Sequence, residues 1–414
     1  MNKFTNFICK HKTLILIITL LLLIPSLIGI KETKINYDIL VYLPKDIETI
    51  KGQNILTDDF NMGAFSISII DNMEAKDVIK LENKIKKVKG VNEVASLYDV
   101  IGTNIPIEIL PDEVTDRLAK KDSSLLLITF KDGTSDETTL NAVREIRKLT
   151  KENVKVAGMS AMVLDTMDLS NKEIVSYVII AVILCLIVLT LSLDSYLVPF
   201  ILLLNIGIAI LFNMGTNVFL GNISYITKAI SAVLQLGVTT DFSIFLYHKY
   251  ENCKKKSKNK EDAMKSAIKD TITAVTGSSF TTIAGFLALC FMTLTLGKDI
   301  GLVMAKGVLL GVICVVTLFP ALLLTFDKQI EKTNHKVILP TFKKLKGFTI
   351  KHYKAIFIVF LLLMIPAIIG QKNTNVYYNL DRTLPSTLKS SIANKSLKED
   401  YNIVSPEIIL VSKN

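Results

Sequence analysis

Seven apolar runs decide what this chain can fold into. They cover residues 14–30, 174–193, 197–220, 223–247, 271–296, 300–326 and 355–370, each close to or above the roughly 20 residues that carry an α-helix across a bilayer. Half of the chain is hydrophobic and its mean hydropathy is +0.44, which excludes an ordinary soluble domain. Charged residues make up 21%, too many for a protein made of membrane spans alone. The first run follows Lys3, Lys10 and Lys12 and has the outline of a signal peptide or of a membrane helix. No A-x-A cleavage site follows it and a near copy recurs deep in the chain, so it reads as helix 1 with a cytoplasmic N-terminus.

Lysines set the expected topology. The net charge of +10 is unevenly spread: residues 31–173 carry more acidic than basic groups, whereas 254–269 and 328–354 are lysine-rich. With the N-terminus inside, residues 31–173 lie outside and both lysine-rich loops lie inside, as the positive-inside rule requires. The pattern suits membrane orientation and gives no reason to expect nucleic acid. Cys9, Cys185, Cys253, Cys290 and Cys314 lie in apolar runs or their basic flanks, with no CxxC pair, and only four histidines are present. No disulfide framework, metal site or cofactor is expected.

Residues 31–173 read as a folded α+β domain. Residues 63–71 form a strand pattern, 74–89 an amphipathic helix with Val78, Leu81, Ile85 and Val88 on one face, and 91–99 a second strand. The order repeats as a strand over 123–130, a helix over 135–150 and a strand over 154–158, which predicts a split-βαβ arrangement. Residues 259–270 place Ala263, Met264, Ala267 and Ile268 between charges, a pattern open to a helix on the cytoplasmic membrane surface or to a solvated connector.

An internal repeat runs through the chain at a constant offset of 341 residues, the separation of Pro25 from Pro366, of Gly29 from Gly370 and of Pro44 from Pro385. The same offset pairs Lys10-His11 with Lys351-His352, Tyr37 with Tyr378, Leu43 with Leu384 and Asp59 with Asp400. Parallel duplication is a transporter architecture with function at the interface of the halves. The expected organisation is therefore 1–30, N-terminus and helix 1; 31–173, exported domain; 174–326, helices 2–6; 327–354, basic linker; 355–371, helix 7; and 372–414, the start of a second exported domain ending at Asn414.

Within the run at 223–247 stands one carboxylate, Asp241, with Gly237 four residues earlier on the same helix face. An ionised Asp at the centre of a membrane helix costs about 2.5–3.5 kcal/mol, so it is expected to face a bundle interior and to carry ions or pair with a partner such as Lys306. Lys306 and Lys228 are equally open to a snorkelling role. Thr240, Ser278, Ser279, Thr281 and Thr282 either bond to carbonyls of their own helices or hydrate Asp241.

The order of these features resembles the RND superfamily of proton-driven exporters, in its MMPL-type branch. GVTTDF (237–242) looks like the helix 4 signature of that branch, SSFTTIAGF (278–286) its helix 5, GVLLGVICVVTLFPALL (307–323) its helix 6, and VAGMSA the junction before helix 2. The resemblance covers essentially the whole chain. It implies a polytopic α-helical membrane protein with an exported porter-like domain, seated in a bacterial cell membrane. It further implies that proton influx drives export of hydrophobic, amphiphilic or lipid-like substrates, with Asp241 as proton relay and Gly237, Thr240, Phe242, Ser278, Thr281, Thr282 and Lys306 as its support. The usual Asp-Tyr pair is here Asp241-Phe242, and Asp194 stands where relatives commonly carry a basic residue. The implied partners are the bilayer, the substrate and a second half of the transporter, with a homo-oligomer left open. No catalytic pair or P-loop spacing points to an enzyme. A protein-secretion accessory and a non-transporting sterol-sensor-like scaffold are the competing readings.

Overall fold

The computed structural model describes residues 2–38, 40–102, 105, 109–120, 123–150, 153–257, 259–338, 343–374, 384–404 and 408–411; Tyr378 and Asn414 of the repeat lie outside these. In chain order the elements are α1 (Asn2–Lys10), α2 (Lys12–Glu32), β1 (Lys34–Asn36), α3 (Glu48–Phe60), β2 (Ala64–Asp71), α4 (Ala75–Ile85), β3 (Val91–Ser96), α5 (Tyr98–Ile101), α6 (Asp112–Leu118), β4 (Ala119–Lys120), β5 (Ser123–Phe130), α7 (Glu137–Thr150) and β6 (Val154–Ala157). There follow α8 (Met159–Ser192), α9 (Val198–Gly215), β7 (Asn222–Ser224), α10 (Tyr225–Lys254), α11 (Lys260–Ala288), α12 (Thr295–Val316), α13 (Leu318–Thr325), α14 (Asp327–Lys332), α15 (Lys343–Lys351), α16 (Tyr353–Lys372) and α17 (Lys389–Tyr401).

Seven helical segments among the described residues are long and apolar enough to span a membrane: Lys12–Glu32, Met159–Ser192, Val198–Leu220, Tyr225–Lys254, Lys260–Phe291, Thr295–Thr325 and Tyr353–Lys372. Their outer faces expose large apolar side chains, among them Leu20 and Leu21 on α2, Ile183 and Leu184 on α8, and Phe360 and Leu363 on α16. Continuous apolar surface of this kind is stable in lipid and not in water. The chain is a multi-pass membrane protein.

The α+β unit has the strand order β3-β5-β2-β6 with every neighbouring pair antiparallel. Strand β5 lies between β2 and β3, so the units β2-α4-β3 and β5-α7-β6 interleave as a split βαβ. Val78, Leu81 and Ile85 of α4 and Leu140, Val143 and Ile146 of α7 fall at helical spacing and close one face of the sheet against Ile70, Ile128 and Phe130. On the opposite face, Ile69, Leu125 and Ala157 receive Ala393, Leu397 and Tyr401 of α17. Helix α8 leaves the sheet directly: Gly158 takes φ +105°, and a Cβ there would lie 3.2 Å from Ser66 Cα. Its first turns bury Ala161, Val163 and Leu164 in the domain core, and the same 34-residue helix then becomes the second span. The polar-to-apolar change near residue 173 is thus a change of surroundings within one helix.

Two features at this domain end of the bundle were invisible in the sequence. β1 and β7 form a short parallel ribbon, Lys34 beside Asn222 through Asn36 beside Ser224, tying the end of α2 to the start of α10. Helix α2 also meets α9 backbone to backbone. A Cβ on Gly29 would lie 2.1 Å from Gly215 O, and one on Gly215 would lie 2.4 Å from Ser26 O.

Residues 260–270 are neither a surface helix nor a connector. They are the first turns of α11, and Ala263, Met264, Ala267 and Ile268 are buried in one cluster with Ile8 and Cys9 of α1. The amphipathic stripe meets protein, not lipid or solvent, because the chain supplies a second amphipathic helix, α1, to cover it.

The repeat survives in the element boundaries. Helices α15 and α17 start and stop 341 residues after α1 and α3, and α16 starts 341 after α2. Phe7 and His11 pack with ring centroids 5.0 Å apart, and Phe348 and His352 with theirs 4.8 Å apart. Both α3 and α17 end on a left-handed Asn, Asn61 and Asn402, with Met62 N–H donating to Leu56 O and Ile403 N–H to Leu397 O. Surroundings differ where local geometry does not: Gly29 is clamped, whereas a Cβ on Gly370 meets nothing within 4 Å.

Gly29→Val is therefore expected to lower the stability of the detergent-solubilised chain by about 1–3 kcal/mol or more, the usual range for overpacking. Gly370→Val, its repeat equivalent, is expected to leave the chain's melting unchanged. Thermal unfolding followed by size-exclusion chromatography measures both.

Candidate functional site

Helix α10 carries Asp241 in the middle of a span that opens on a formed cap. Ser224 Oγ accepts from Ile226 N–H at 3.1 Å, and Ser224 N–H donates to Asp299 Oδ2 at 2.7 Å. Asp299 Oδ2 also accepts from the Thr227 hydroxyl at 2.6 Å, so the first turn of α10 is pinned to α12. From there the helix presents three surfaces. Gln235, Thr239, Ser243, Leu246 and Tyr250 are buried in the bundle, Phe242 packs partly against its central cluster, and Val233, Gly237, Asp241 and Phe245 form an open stripe.

The Asp241 carboxylate is exposed on that stripe and makes no hydrogen bond or ion pair among the described residues. Gly237, one turn earlier, leaves open space beside it, since a Cβ there would meet nothing within 4 Å. The structure brings Asp241 and Gly237 to one surface. It takes Lys306 elsewhere: the ammonium donates to Asn213 O at 2.9 Å, Thr216 Oγ1 at 2.8 Å and Asn217 Oδ1 at 2.6 Å, at the C-terminal end of α9. That position suits a cation, because the last carbonyls of a helix are unpaired and carry the negative end of its dipole. Lys228 donates to Asn171 Oδ1 at 3.3 Å.

The hydroxyls near the motif are occupied within their own helices. Thr240 donates to Leu236 O at 2.5 Å, Ser278 to Ala274 O at 3.1 Å, Ser279 to Val275 O at 2.5 Å, Thr281 to Ser278 O at 2.7 Å and Thr282 to Ser278 O at 3.0 Å. Ser278 and Thr281 are nonetheless exposed on α11, the helix packed beside α10.

The far end of α10 is held by groups that sequence reasoning passed over. Tyr247 donates its hydroxyl to Asp194 Oδ1 at 2.6 Å, and the Asp194 carbonyl accepts from His335 N–H at 2.8 Å. Asp327 accepts from Tyr250 OH at 3.0 Å and Lys254 Nζ at 2.7 Å, with Lys260 Nζ at 3.6 Å and Glu331 sharing Lys254 at 2.8 Å. Tyr247, Tyr250 and Lys254 recur at three- and four-residue spacing, so one face of α10 was legible as polar; the partners come from turns far away in sequence. Asp194, noted above only as a departure from family habit, has a structural use here as the acceptor of a buried tyrosine.

A helical bundle carrying a split-βαβ domain on its first and second spans, with a carboxylate at mid-span that has no partner among the described residues, defines a polytopic membrane protein. The model of the MMPL family matches residues 46–340, and the chain belongs to that family. The membrane protein MJ1562 of Methanocaldococcus jannaschii is 27% identical over 306 residues, which cover 68% of this chain and 76% of the archaeal protein. "Probable transport protein MmpL4" of Mycobacterium leprae is 27% identical over 45% of this chain, and "Probable transport protein MmpL12" of Mycobacterium tuberculosis is 23% identical over 72% of it. The matched stretches make up only 20% and 28% of those two mycobacterial proteins.

Asp327 offers a pH test of the clamp on α10. Burial alone would raise its pKa, but hydrogen bonds from Lys254 and Tyr250 together with the positive charges of Lys254 and Lys260 outweigh that and hold it below the ordinary carboxylate value. A carboxylate whose pKa is depressed by folding stabilises the fold above its unfolded pKa, and that contribution is lost as pH falls through the folded value. Asp327→Asn is expected to cost about 3 kcal/mol at neutral pH, the lower end of the range for breaking a buried pair, since Glu331 remains for Lys254. The gap between wild type and variant should persist down to about pH 4 and close below it. Melting temperatures of both proteins across pH supply the measurement.

Proposed function

We propose that this chain forms one half of a proton-driven transporter of the RND/MMPL type, moving hydrophobic, amphiphilic or lipid-like substrates, and not an enzyme. The observation that carries the reading is the placement of Asp241: a carboxylate at mid-span, without a partner among the described residues, beside Gly237 on the stripe of α10 that those residues leave open. A group so placed is available to a helix from elsewhere and to a proton. Binding the proton neutralises it, which removes the cost of holding charge in hydrocarbon and lets α10 shift against the facing helix. Each proton moving down a membrane potential supplies about 2.3 kcal/mol per 100 mV, enough to bias a two-state equilibrium by a factor in the tens. Phe242 offers no hydroxyl to the relay, so water or a hydroxyl of the facing half takes that part, with Ser278 and Thr281 exposed next to the stripe.

The facing surface, in this reading, is a second half of the same fold. The repeat of α1, α2 and α3 as α15, α16 and α17 supports it. So does the asymmetry between copies: α17 lays Ala393, Leu397 and Tyr401 on the sheet of the first domain, whereas α3 buries no residue and α16 buries none. Apolar faces on α3 and α16 that match docked faces on α17 and α2 are what a half awaiting its mate presents. In this reading the N-terminus lies in the cytoplasm of a bacterial cell and residues 31–173 lie outside the membrane, an orientation the lysine-rich loops at 254–269 and 328–354 support through the positive-inside rule, and α8 transmits movement of the bundle to the domain.

Asp241→Asn, expressed with the partner half, is expected to abolish proton-coupled efflux of an amphiphilic dye from dye-loaded cells, whereas Phe242→Tyr is expected to keep it. Both variants should assemble normally by size-exclusion chromatography. Efflux by Asp241→Asn at the wild-type rate would sink the relay reading.

A further inference from the structure

Helix α10 has a second polar face, turned away from Asp241. Gln235, Thr239 and Ser243 recur one turn apart and are all 1% exposed or less, in a helix packed on α9 and α12. On α9, Asn205 and Asn213 are wholly buried two turns apart. Helix α12 meets this junction with glycine: a Cβ on Gly307 would lie 2.5 Å from Asn213 Nδ2 and 3.1 Å from Gln235 Oε1, and one on Gly311 would lie 2.8 Å from Thr239 Oγ1. At the domain end the column is headed by Lys306 and the buried Asn217, 2.6 Å apart.

Hydrogen bonds within this column do not close. Asn213 Nδ2 donates to Gln235 Oε1 at 3.0 Å, and Gln235 Nε2 donates to Gly307 O at 3.0 Å. Left over are Asn213 Oδ1, Asn217 Nδ2, Thr239 Oγ1 and both amide atoms of Asn205, none of which has a partner among the described residues. Thr239 stands apart from Thr240, Ser243 and Ser279, whose hydroxyls all bond to a carbonyl of the preceding turn. An amide is planar and cannot rotate a stray donor to some new acceptor as a hydroxyl can. Each buried polar group left unsatisfied costs about 1–3 kcal/mol, and lipid has nothing to offer it.

We propose that the column between α9, α10 and α12, from Lys306 and Asn217 through Asn213 and Thr239 to Asn205, is a binding site for water inside the half-bundle. The unpaired groups comprise both donors and acceptors, as water requires. A bound metal cation fits poorly, because the Lys306 ammonium heads the column and the ligands named above include no carboxylate. The site lies on the face of α10 opposite Asp241 and does not depend on the proton-relay reading. Its consequence is mechanical. Water can exchange hydrogen bonds as side chains pass one another, so glycine and hydrated amides give α10 a surface on which to move that dry, interlocked packing would deny it.

Radiolysis of water generates hydroxyl radical in place and so reports enclosed water without a path for a reagent. With all five cysteines replaced by alanine, brief X-ray exposure of the purified full chain and mass spectrometry should find the cysteine of Thr239→Cys, inside the column, oxidised about tenfold faster than that of Leu323→Cys, a position 0% exposed in the apolar cluster. Oxidation at position 239 no faster than at position 323 means a dry junction and overturns the proposal. Size-exclusion profiles matching the wild type establish that each variant is folded.

Discussion

Hydrocarbon offers no hydrogen bonds, and every notable feature of this bundle is a response to that. The backbone is satisfied by seven helical spans, which leaves polar side chains as the only groups whose location is negotiable. On α10 they are sorted by direction: amides and hydroxyls inward to α9 and α12, tyrosines and Lys254 toward acceptors at the end of the span, and Asp241 outward on a stripe with no protein partner among the described residues. The hydroxyls of Ser243, Tyr247 and Tyr250 and the ammonium of Lys254 are held by protein, whereas the Thr239 hydroxyl and the Asp241 carboxylate have no partner among the described residues.

The sorting also distributes rigidity along α10. At the domain end the Ser224 cap, Asp299 and the β1–β7 ribbon fix its first turn, and α2 is locked to α9 where Gly29 meets Gly215. At the other end Asp194 and Asp327 grip Tyr247, Tyr250 and Lys254. Between these clamps α10 meets Gly307 and Gly311 of α12, where a Cβ would lie 3.1 Å from Gln235 Oε1 and 2.8 Å from Thr239 Oγ1, and α8 runs as one continuous helix from bundle to sheet.

Copies of one local structure meet different fates in this chain. α1, α2 and α3 return as α15, α16 and α17 with the same starting points, the same Phe–His pairs and the same left-handed Asn caps, because those features are written within a few residues of one another. What each helix touches is set elsewhere. Gly29 is pressed against Gly215 while Gly370 is open, and α17 is seated on a sheet while α3 is not, since packing depends on which surface is present and not on the helix that seeks one.

By itself the sequence determined the elements whose physics is local. Runs of about 20 apolar residues had to be helices, alternation and helical spacing over residues 63–158 had to give strands and helices in split-βαβ order, and the constant offset of 341 residues had to mean repeated structure. It also singled out Asp241, because an acid in an apolar run is costly wherever it points. Tertiary structure alone decided direction and partnership. Only the fold shows that Asp241 faces outward with Gly237 while Lys306 turns to the end of α9, that Asp194 and Asp327 hold the far end of α10, and that the stripe on residues 260–270 meets α1 and not lipid. Those contacts join residues tens to hundreds of positions apart, and no periodicity in a single stretch of chain encodes which two surfaces will meet.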